Sequence, residues 1–287
     1  MRIVIVADNA SSRFGGEAFL PFNYFRLLRT RNADVRLVVH ARNRSELVER
    51  FPSDLERISF VEDTILHRAL FRLGNLLPRR VAESTTGLLI QITTQLAQRR
   101  VVLSIERAYG LDIIHQPIPV SPKAPSMMFG VGAVVVLGPL NGGMEYPPAF
   151  RREQGWLTNL GIALGRRFAD FLNRLLPGKR QASLILVANN RTRDALPSMT
   201  RGRIVELVEN GVDFSVWCAT PDRMMPNENR IVRFVFVGRL VDWKSVEIIL
   251  EAARRIHFDV TISLEIIGDG PMRKTWQEQA EWACAER

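Results

Sequence analysis

A chain of 287 residues can bury more than one core, and 46% hydrophobic with 24% charged residues is the balance of an ordinary globular protein, not a disordered or fibrous one. The 39 Lys and Arg against 30 Asp and Glu leave a net charge of +9, which suits an anionic partner. Cys218 and Cys284 lie far apart, so no disulfide framework is implied and a reducing, cytosolic setting is expected.

The chain opens on Ile3-Val4-Ile5-Val6-Ala7, too short for the core of a signal peptide, which needs about 7–15 apolar residues. The same residues read as a first strand, ending at Asp8. Phe14-Gly15-Gly16-Glu17 follows, and glycines at a helix start let backbone N–H groups approach a phosphate or a sugar. The spacing is not that of the dinucleotide fingerprint, and a Gly-Gly pair alone is also an ordinary turn. Further strands are predicted over Val35–Val39 and Ile58–Val61; His40, between the first of these and Arg42, reads as a surface histidine, with a place at a cleft edge as the alternative.

From Thr64 to Gly110 the pattern is mostly helical. Strands return at Asp112–His115 and Ala133–Leu137; His115 at a strand end reads equally as a core histidine or a cleft residue. The longest apolar run, Met127 to Leu140, is broken by Gly130, Gly132, Gly138 and Pro139, so it is a buried strand with turns, well short of the ~20 residues of a membrane span. Phe150 to Leu176 is helical, with Arg151, Arg152, Arg166, Arg167 and Arg174 beside an apolar stripe, and Pro177-Gly178 stops it. It reads as the core face of a helix with a basic outer side; a helix lying on an anionic membrane is the alternative.

Strands at Leu184–Ala188 and Ile204–Val208 lead to a boundary at Glu209-Asn210-Gly211-Val212-Asp213, followed by a polar, Pro-containing stretch. The strand–helix alternation restarts at Ile231, with strands at Arg233–Val237 and Leu264–Ile267 around a helix striped by Val246, Ile249, Leu250 and Ala253. Ser245 is expected to cap that helix, and Glu251 and Arg255 to pair at i, i+4. Continuous apolar strands alternating with helices predict an α/β fold with a parallel sheet covered on both faces. The domains are expected at 1–210 and 211–287.

In such sheets ligands bind at the carboxyl ends of the strands. The loop Gly238-Arg239-Leu240-Val241-Asp242-Trp243-Lys244 places an Arg fork and a Lys point charge between a strand and a helix start, where together they would offset a diphosphate. Gly268-Asp269-Gly270-Pro271 ends the next strand, and its glycines let the backbone pass close to a base or sugar. His40, His67, His115 and His257 form no metal-binding pair, so neither metal nor cofactor is expected.

This order of motifs resembles the donor-binding half of GT-B-fold retaining glycosyltransferases of family 4, and the resemblance runs back along the chain. Asn210-Gly211-Val212-Asp213 is similar to that family's interdomain motif, Gly15-Gly16 to its first-strand glycine loop, and Asp112-Ile113-Ile114-His115 to its Asp-x-x-His strand end. Gly138-Pro139-Leu140-Asn141-Gly142-Gly143 is similar to an acceptor-side loop of some bacterial members. The resemblance implies two Rossmann-like doubly wound domains, the second incomplete, and transfer of a sugar from a nucleotide-diphosphate sugar to a glycan or lipid-linked acceptor with retention. It implies His115 as the catalytic-side residue facing the transferred sugar, and Arg239, Lys244, Gly15 and Gly16 at the donor diphosphate. Gly268 and Gly270 would lie near the nucleoside, and Asn141, Gly142 and Gly143 on the acceptor side.

The expected partners are the nucleotide-sugar, the acceptor and an anionic membrane surface, with the protein cytoplasmic and peripheral to the inner face of the membrane; no nucleic acid is expected, since only the basic charge would favour it. One departure is an absence. The family holds the donor sugar and ribose with a downstream glutamate pair, and none in that context follows Gly270. Glu278 and Glu286 have the spacing but sit in the helix after Gly-Asp-Gly-Pro, so they read as surface charges and the chain as truncated. An inactive fragment that binds a nucleotide diphosphate or a protein partner without turnover is therefore the alternative, and a nucleotide-sugar epimerase is the enzymatic rival.

Overall fold

The apolar runs of the sequence become parallel strands, and those at the centre of the first unit bury both of their faces, whereas the described strands of the second unit, expected under a sheet covered on both sides, leave one face exposed. In β1 (Arg2–Ala7), Ile3 and Ile5 point to one side of the sheet, and Val4 and Val6 to the other, all in the core. This computed structural model describes residues 1–76, 82, 85–144, 167–209, 211, 214, 231–256 and 262–285. The chain forms two units, Met1–Val212 and Asp213–Arg287.

In the first unit β1 is joined by β2 (Asp34–His40), β3 (Ile58–Val61), β4 (Ile113–Gln116), β5 (Val134–Leu140), β6 (Leu184–Val187) and β7 (Arg203–Glu206). They form one seven-stranded parallel sheet in the order β3-β2-β1-β4-β5-β6-β7. Helix α1 (Gly16–Thr30) and helix α2 (Arg44–Arg50) cover one face through Phe22, Phe25 and Leu47. After α3 (Ile65–Gly74), the long α4 (Thr86–Tyr109) covers the other with Val102 and Ile105. A helix over 167–175, α5, precedes the short α6 (Gly178–Gln181), and α7 (Asn190–Asp194) follows β6.

The strand order reverses between β1 and β4. The chain builds outward from β1 to β3, then returns to place β4 on the other side of β1. That reversal opens a crevice at the carboxyl ends of those two strands. Every predicted strand is present within a few residues. The largest shift is in β5, which runs through Gly138-Pro139 to Leu140 with a register irregularity against β6. Of the predicted helix over 150–176, residues 150–166, with Arg151, Arg152 and Arg166, lie outside the described residues, as do Asn210, Val212 and Asp213 of the predicted boundary.

The second unit contains β8 (Val232–Val237) and β9 (Ile262–Ile267) in parallel register, from Val232 beside Ile262 to Val237 beside Ile267. Helices α8 (Val246–Arg254) and α9 (Arg273–Ala285) pack on one face of this pair through Val246, Leu250 and Trp276. The predicted Glu251–Arg255 pair forms at 2.8 Å. Ser245 departs from expectation. It stands at the helix start, but in the left-handed region (φ 49°, ψ 45°) and without a side-chain capping bond. A glycine would fit this backbone better.

Candidate functional site

The loop that follows β1 is held from below by one carboxylate. Glu46 of α2 accepts hydrogen bonds from the Ser11 hydroxyl, the Ser12 backbone N–H (2.8 Å) and the Ser12 hydroxyl (2.6 Å). Burial would raise its pKa, but these bonds and the nearby Arg13 charge hold it below the ordinary glutamate value. The loop so fixed delivers Gly15 and Gly16 to the start of α1. Gly15 has φ 95°, which an L side chain rarely adopts, yet a Cβ at either glycine would meet nothing within 4 Å. The two glycines therefore lie beneath open space, and Gly15 is needed for its backbone angle alone.

His115 lies across the crevice, paired in register with Ile5 of β1. Its Nε2–H donates to the Gly138 carbonyl oxygen at 2.7 Å, and its ring meets the edge of Tyr24 from α1, with centroids 4.9 Å apart. Burial pushes the imidazole pKa down, and the Gly138 carbonyl opposes this only in part. At neutral pH the ring is uncharged, with Nδ1 a lone-pair acceptor that has no partner among the described residues. Such a group can orient a hydroxyl but supplies no positive charge. Gly138 has no room for a side chain, because a Cβ there would overlap the Leu186 carbonyl oxygen and the Leu140 amide.

Asn141, Gly142 and Gly143 follow β5 and form a rigid turn. Asn141 Nδ2 donates to Glu209 Oε1 at 2.7 Å, and Gly142 N–H donates to the buried Thr192 hydroxyl at 3.1 Å. A Cβ at Gly142 would meet Pro122 Cδ at 2.5 Å, and one at Gly143 would meet the Ala195 Cβ at 2.7 Å. Both glycines are thus demanded by close packing. Glu17, just after the Gly-Gly pair, has its pKa raised by burial and then by the Glu209 charge, so the start of α1 and the Asn141 turn are electrostatic neighbours.

Sequence reasoning missed this carboxylate pair and also missed Asp8. Asp8 ends β1, and burial pushes its carboxyl up to about 6, against the opposing pull of Arg42 and a hydrogen bond with Gln98. The signal for Glu17 was its place in the first turn after Gly-Gly; the partner 192 positions away gave none. His40 is corrected from surface to interior, at 2% exposure. Its Nε2–H donates to Asp63 Oδ1 (3.1 Å), while Nδ1 accepts from the Arg42 N–H (3.2 Å) and Arg42 Nε (3.1 Å).

In the second unit Arg239 and Lys244 are exposed, and neither side chain has a hydrogen-bond or ion-pair partner among the described residues. The loop that carries them is anchored through its backbone. Gly238 N–H donates to the Ile267 carbonyl (3.0 Å), Leu240 N–H to the Asp269 carbonyl (2.9 Å), and Met272 N–H to the Leu240 carbonyl (3.0 Å). Gly268 and Gly270 lie directly across this loop: a Cβ at 268 would overlap the Gly238 carbonyl oxygen, and one at 270 the Leu240 carbonyl oxygen. The strand-end turns thus sit one upon the other, with two free cations at the edge. A cleft of about 510 Å³ in this unit is separate from the cations; it is lined by Leu240, Leu250, Leu264 and Trp276 between the helices and the sheet.

Among the described residues no group of three or more His, Cys, Asp or Glu could hold a metal ion, and no helix is long and apolar enough to cross a membrane. Glu278 lies on the exposed side of α9, 4.0 Å from Lys274.

No family model matches the chain, and no curated protein matches it. Among solved structures, a lipopolysaccharide outer core galactosyltransferase, WaaB in its apo form, matches over 100% of this chain and 66% of its own, with a TM-score of 0.54 and 13% identity. MurG of Acinetobacter baumannii matches over 99% of this chain and 66% of its own, with a TM-score of 0.46 and 12% identity. The chain thus spans 66% of the length of each. At this identity the likeness to WaaB speaks of fold alone. The fold class is α/β of the GT-B type.

Proposed function

We propose that the protein is a sugar transferase that moves a sugar from a nucleotide-diphosphate sugar to a hydroxyl of a glycan or lipid-linked acceptor, with retention at the anomeric carbon. The observation that carries this reading is the pair of cations, Arg239 and Lys244, unpartnered among the described residues, on a backbone-anchored loop at the carboxyl end of β8. The bond from the anomeric carbon to the diphosphate breaks with its electron pair going to the diphosphate, and the acceptor hydroxyl oxygen forms the new bond as its proton passes to the departing diphosphate. Arg239 and Lys244 would offset the charge that develops on the leaving group. No metal or cofactor enters the proposal.

Residues 1–210 would form the acceptor-side domain, with 211–287 the donor side. There Gly268 and Gly270 would border the nucleoside beside the diphosphate held by Arg239 and Lys244; in the first unit Gly15 and Gly16 leave open space over their backbone. Neutral His115 would orient a hydroxyl of the transferred sugar, and Asn141 with Gly142 and Gly143 would line the acceptor side. The protein would work in the cytoplasm, peripheral to the inner face of an anionic membrane. The family 4 assignment belongs to this proposal and rests on the motif order.

The test is release of UDP or GDP from a panel of nucleotide-sugars in the presence of glycan and lipid-linked acceptors. Turnover that Arg239→Ala and Lys244→Ala abolish supports the reading. A second reading, nucleotide diphosphate binding without turnover, is supported by the exposed position of Glu278 on α9, 4.0 Å from Lys274. Calorimetric binding with no product from any donor would select it.

A further inference from the structure

Helix α3 turns its apolar side away from the protein. Its roll is set by a buried histidine: His67 Nδ1 accepts from the Thr64 N–H (3.1 Å), which leaves Nε2–H to donate to the Thr94 hydroxyl of α4 at 3.0 Å. His67 is buried, Leu70 is half-buried, and Gly74 abuts Thr86, so this side faces α4. At 3.6 residues per turn, Ile65, Leu66, Ala69 and Leu73 fall on one arc of roughly 100° beside that buried side, and Leu76 follows in the turn just after the helix. All five are exposed, Ile65 at 78% and Leu76 at 81%. Arg68 and Arg72 are also exposed and flank the free edge of the arc.

No carboxylate occurs from Ile65 to Leu76. The two acids just before the helix are engaged elsewhere: Glu62 with Arg44 at 2.5 Å, and Asp63 with His40 at 3.1 Å. An apolar stripe edged by arginines and clear of negative charge is complementary to a surface that is apolar within and anionic at its rim, which is a bilayer of acidic phospholipid. In a symmetric pairing of α3 with the α3 of a second copy, arginine would meet arginine with no carboxylate between Ile65 and Leu76 to offset it.

We propose that α3 docks this protein on an anionic lipid surface, with Leu66, Leu73 and Leu76 entering the acyl boundary and Arg68 and Arg72 meeting the headgroup phosphates. The proposal takes up the membrane partner named above and gives it a surface. It is read without donor or acceptor, so its failure would leave the sugar-transfer reading standing.

The experiment is sedimentation of the full chain with vesicles of phosphatidylglycerol mixed into phosphatidylcholine, and with phosphatidylcholine alone. The chain should partition to the anionic vesicles. The triple variant Leu66→Ser, Leu73→Ser, Leu76→Ser should bind at least about tenfold more weakly while remaining folded by thermal unfolding, since all three side chains are half or more exposed. Arg68→Gln with Arg72→Gln should lower binding by about fivefold per arginine and remove the preference for the anionic vesicles. Phe168→Ser with Phe171→Ser, which alters exposed apolar residues of α5, should bind as the parent does. Equal binding by the triple variant, loss confined to the Phe168 and Phe171 variant, no preference for anionic vesicles, or a dimer that the triple variant splits while vesicles go unbound would each overturn the proposal.

Discussion

Replacing Gly268 by alanine should unfold the second unit while leaving the first intact. A Cβ at this position overlaps the Gly238 carbonyl oxygen, so the two strand-end turns must separate by about 1.5 Å to restore ordinary contact. Overpacking of this kind costs about 1–3 kcal/mol, and the backbone at φ 157° adds strain for a side chain. The Gly238–Ile267 and Leu240–Asp269 hydrogen bonds bind the same turns, and losing both adds about 1 kcal/mol each. The total is about 3–5 kcal/mol. A unit whose buried cluster, among the described residues, is Leu240, Val246, Leu250 and Trp276 sits near the low end of domain stability, about 5 kcal/mol, so little would remain. Gly15→Ala is the control, because its Cβ meets nothing and only the positive φ costs, about 1–2 kcal/mol in the first unit. Hydrogen exchange read by mass spectrometry on segments 232–237 and 262–267 measures this directly. Those amides should lose protection in Gly268→Ala and keep it in Gly15→Ala. Full protection in Gly268→Ala would refute the packing argument.

Three further outcomes follow from the same coordinates. Ser245→Gly should stabilise the second unit by about 0.5–1 kcal/mol in denaturant titration, because it relieves a left-handed serine that makes no capping bond. Asp8→Asn should flatten the pH dependence of stability. The folded carboxyl holds its proton up to about 6 against 3.8 unfolded, so the native state carries the extra proton between these values and the parent loses stability as pH rises through that window, by up to about 3 kcal/mol. Parent and variant curves that stay parallel from pH 4 to 7 would contradict this. Thr192→Val should free the Asn141 turn, since its hydroxyl both accepts from the Gly142 N–H and donates to the Gly142 carbonyl. The expected cost is about 1–3 kcal/mol, with faster exchange at Gly142.

Strands were easy to read from the sequence and the site was not, for one physical reason. β1 and β2 are apolar, largely β-branched runs that lie buried, and β8 is a similar run of β-branched and aromatic residues although mostly exposed, so local composition locates all three. The reach of β5 through Gly138-Pro139 depends on a close approach to Leu186, forty-odd residues on, which no local pattern records. Gly-Asp-Gly-Pro and Gly-Arg-Leu were legible as turns. That each glycine exists because the other turn crosses it needed the two placed together. His40 looked like a surface residue because it ends a strand just before Arg42 and Arg44, while Asp63 and His67 close over it from the next elements. Glu46, which holds the β1 loop, and the Glu17–Glu209 pair are long-range as well. Ser245 misled differently: serine is a common helix cap, and only the backbone angle reveals that it is not capping here.

The central claim is that Arg239 and Lys244 form a diphosphate clamp, and calorimetric titration of UDP and GDP into the parent chain and each single alanine variant tests it most directly. Loss of one charge-assisted contact is worth about 1.5–3 kcal/mol, so each variant should bind about 10–100-fold more weakly while its second unit keeps its amide protection. Equal affinity in the parent, Arg239→Ala and Lys244→Ala would contradict the account.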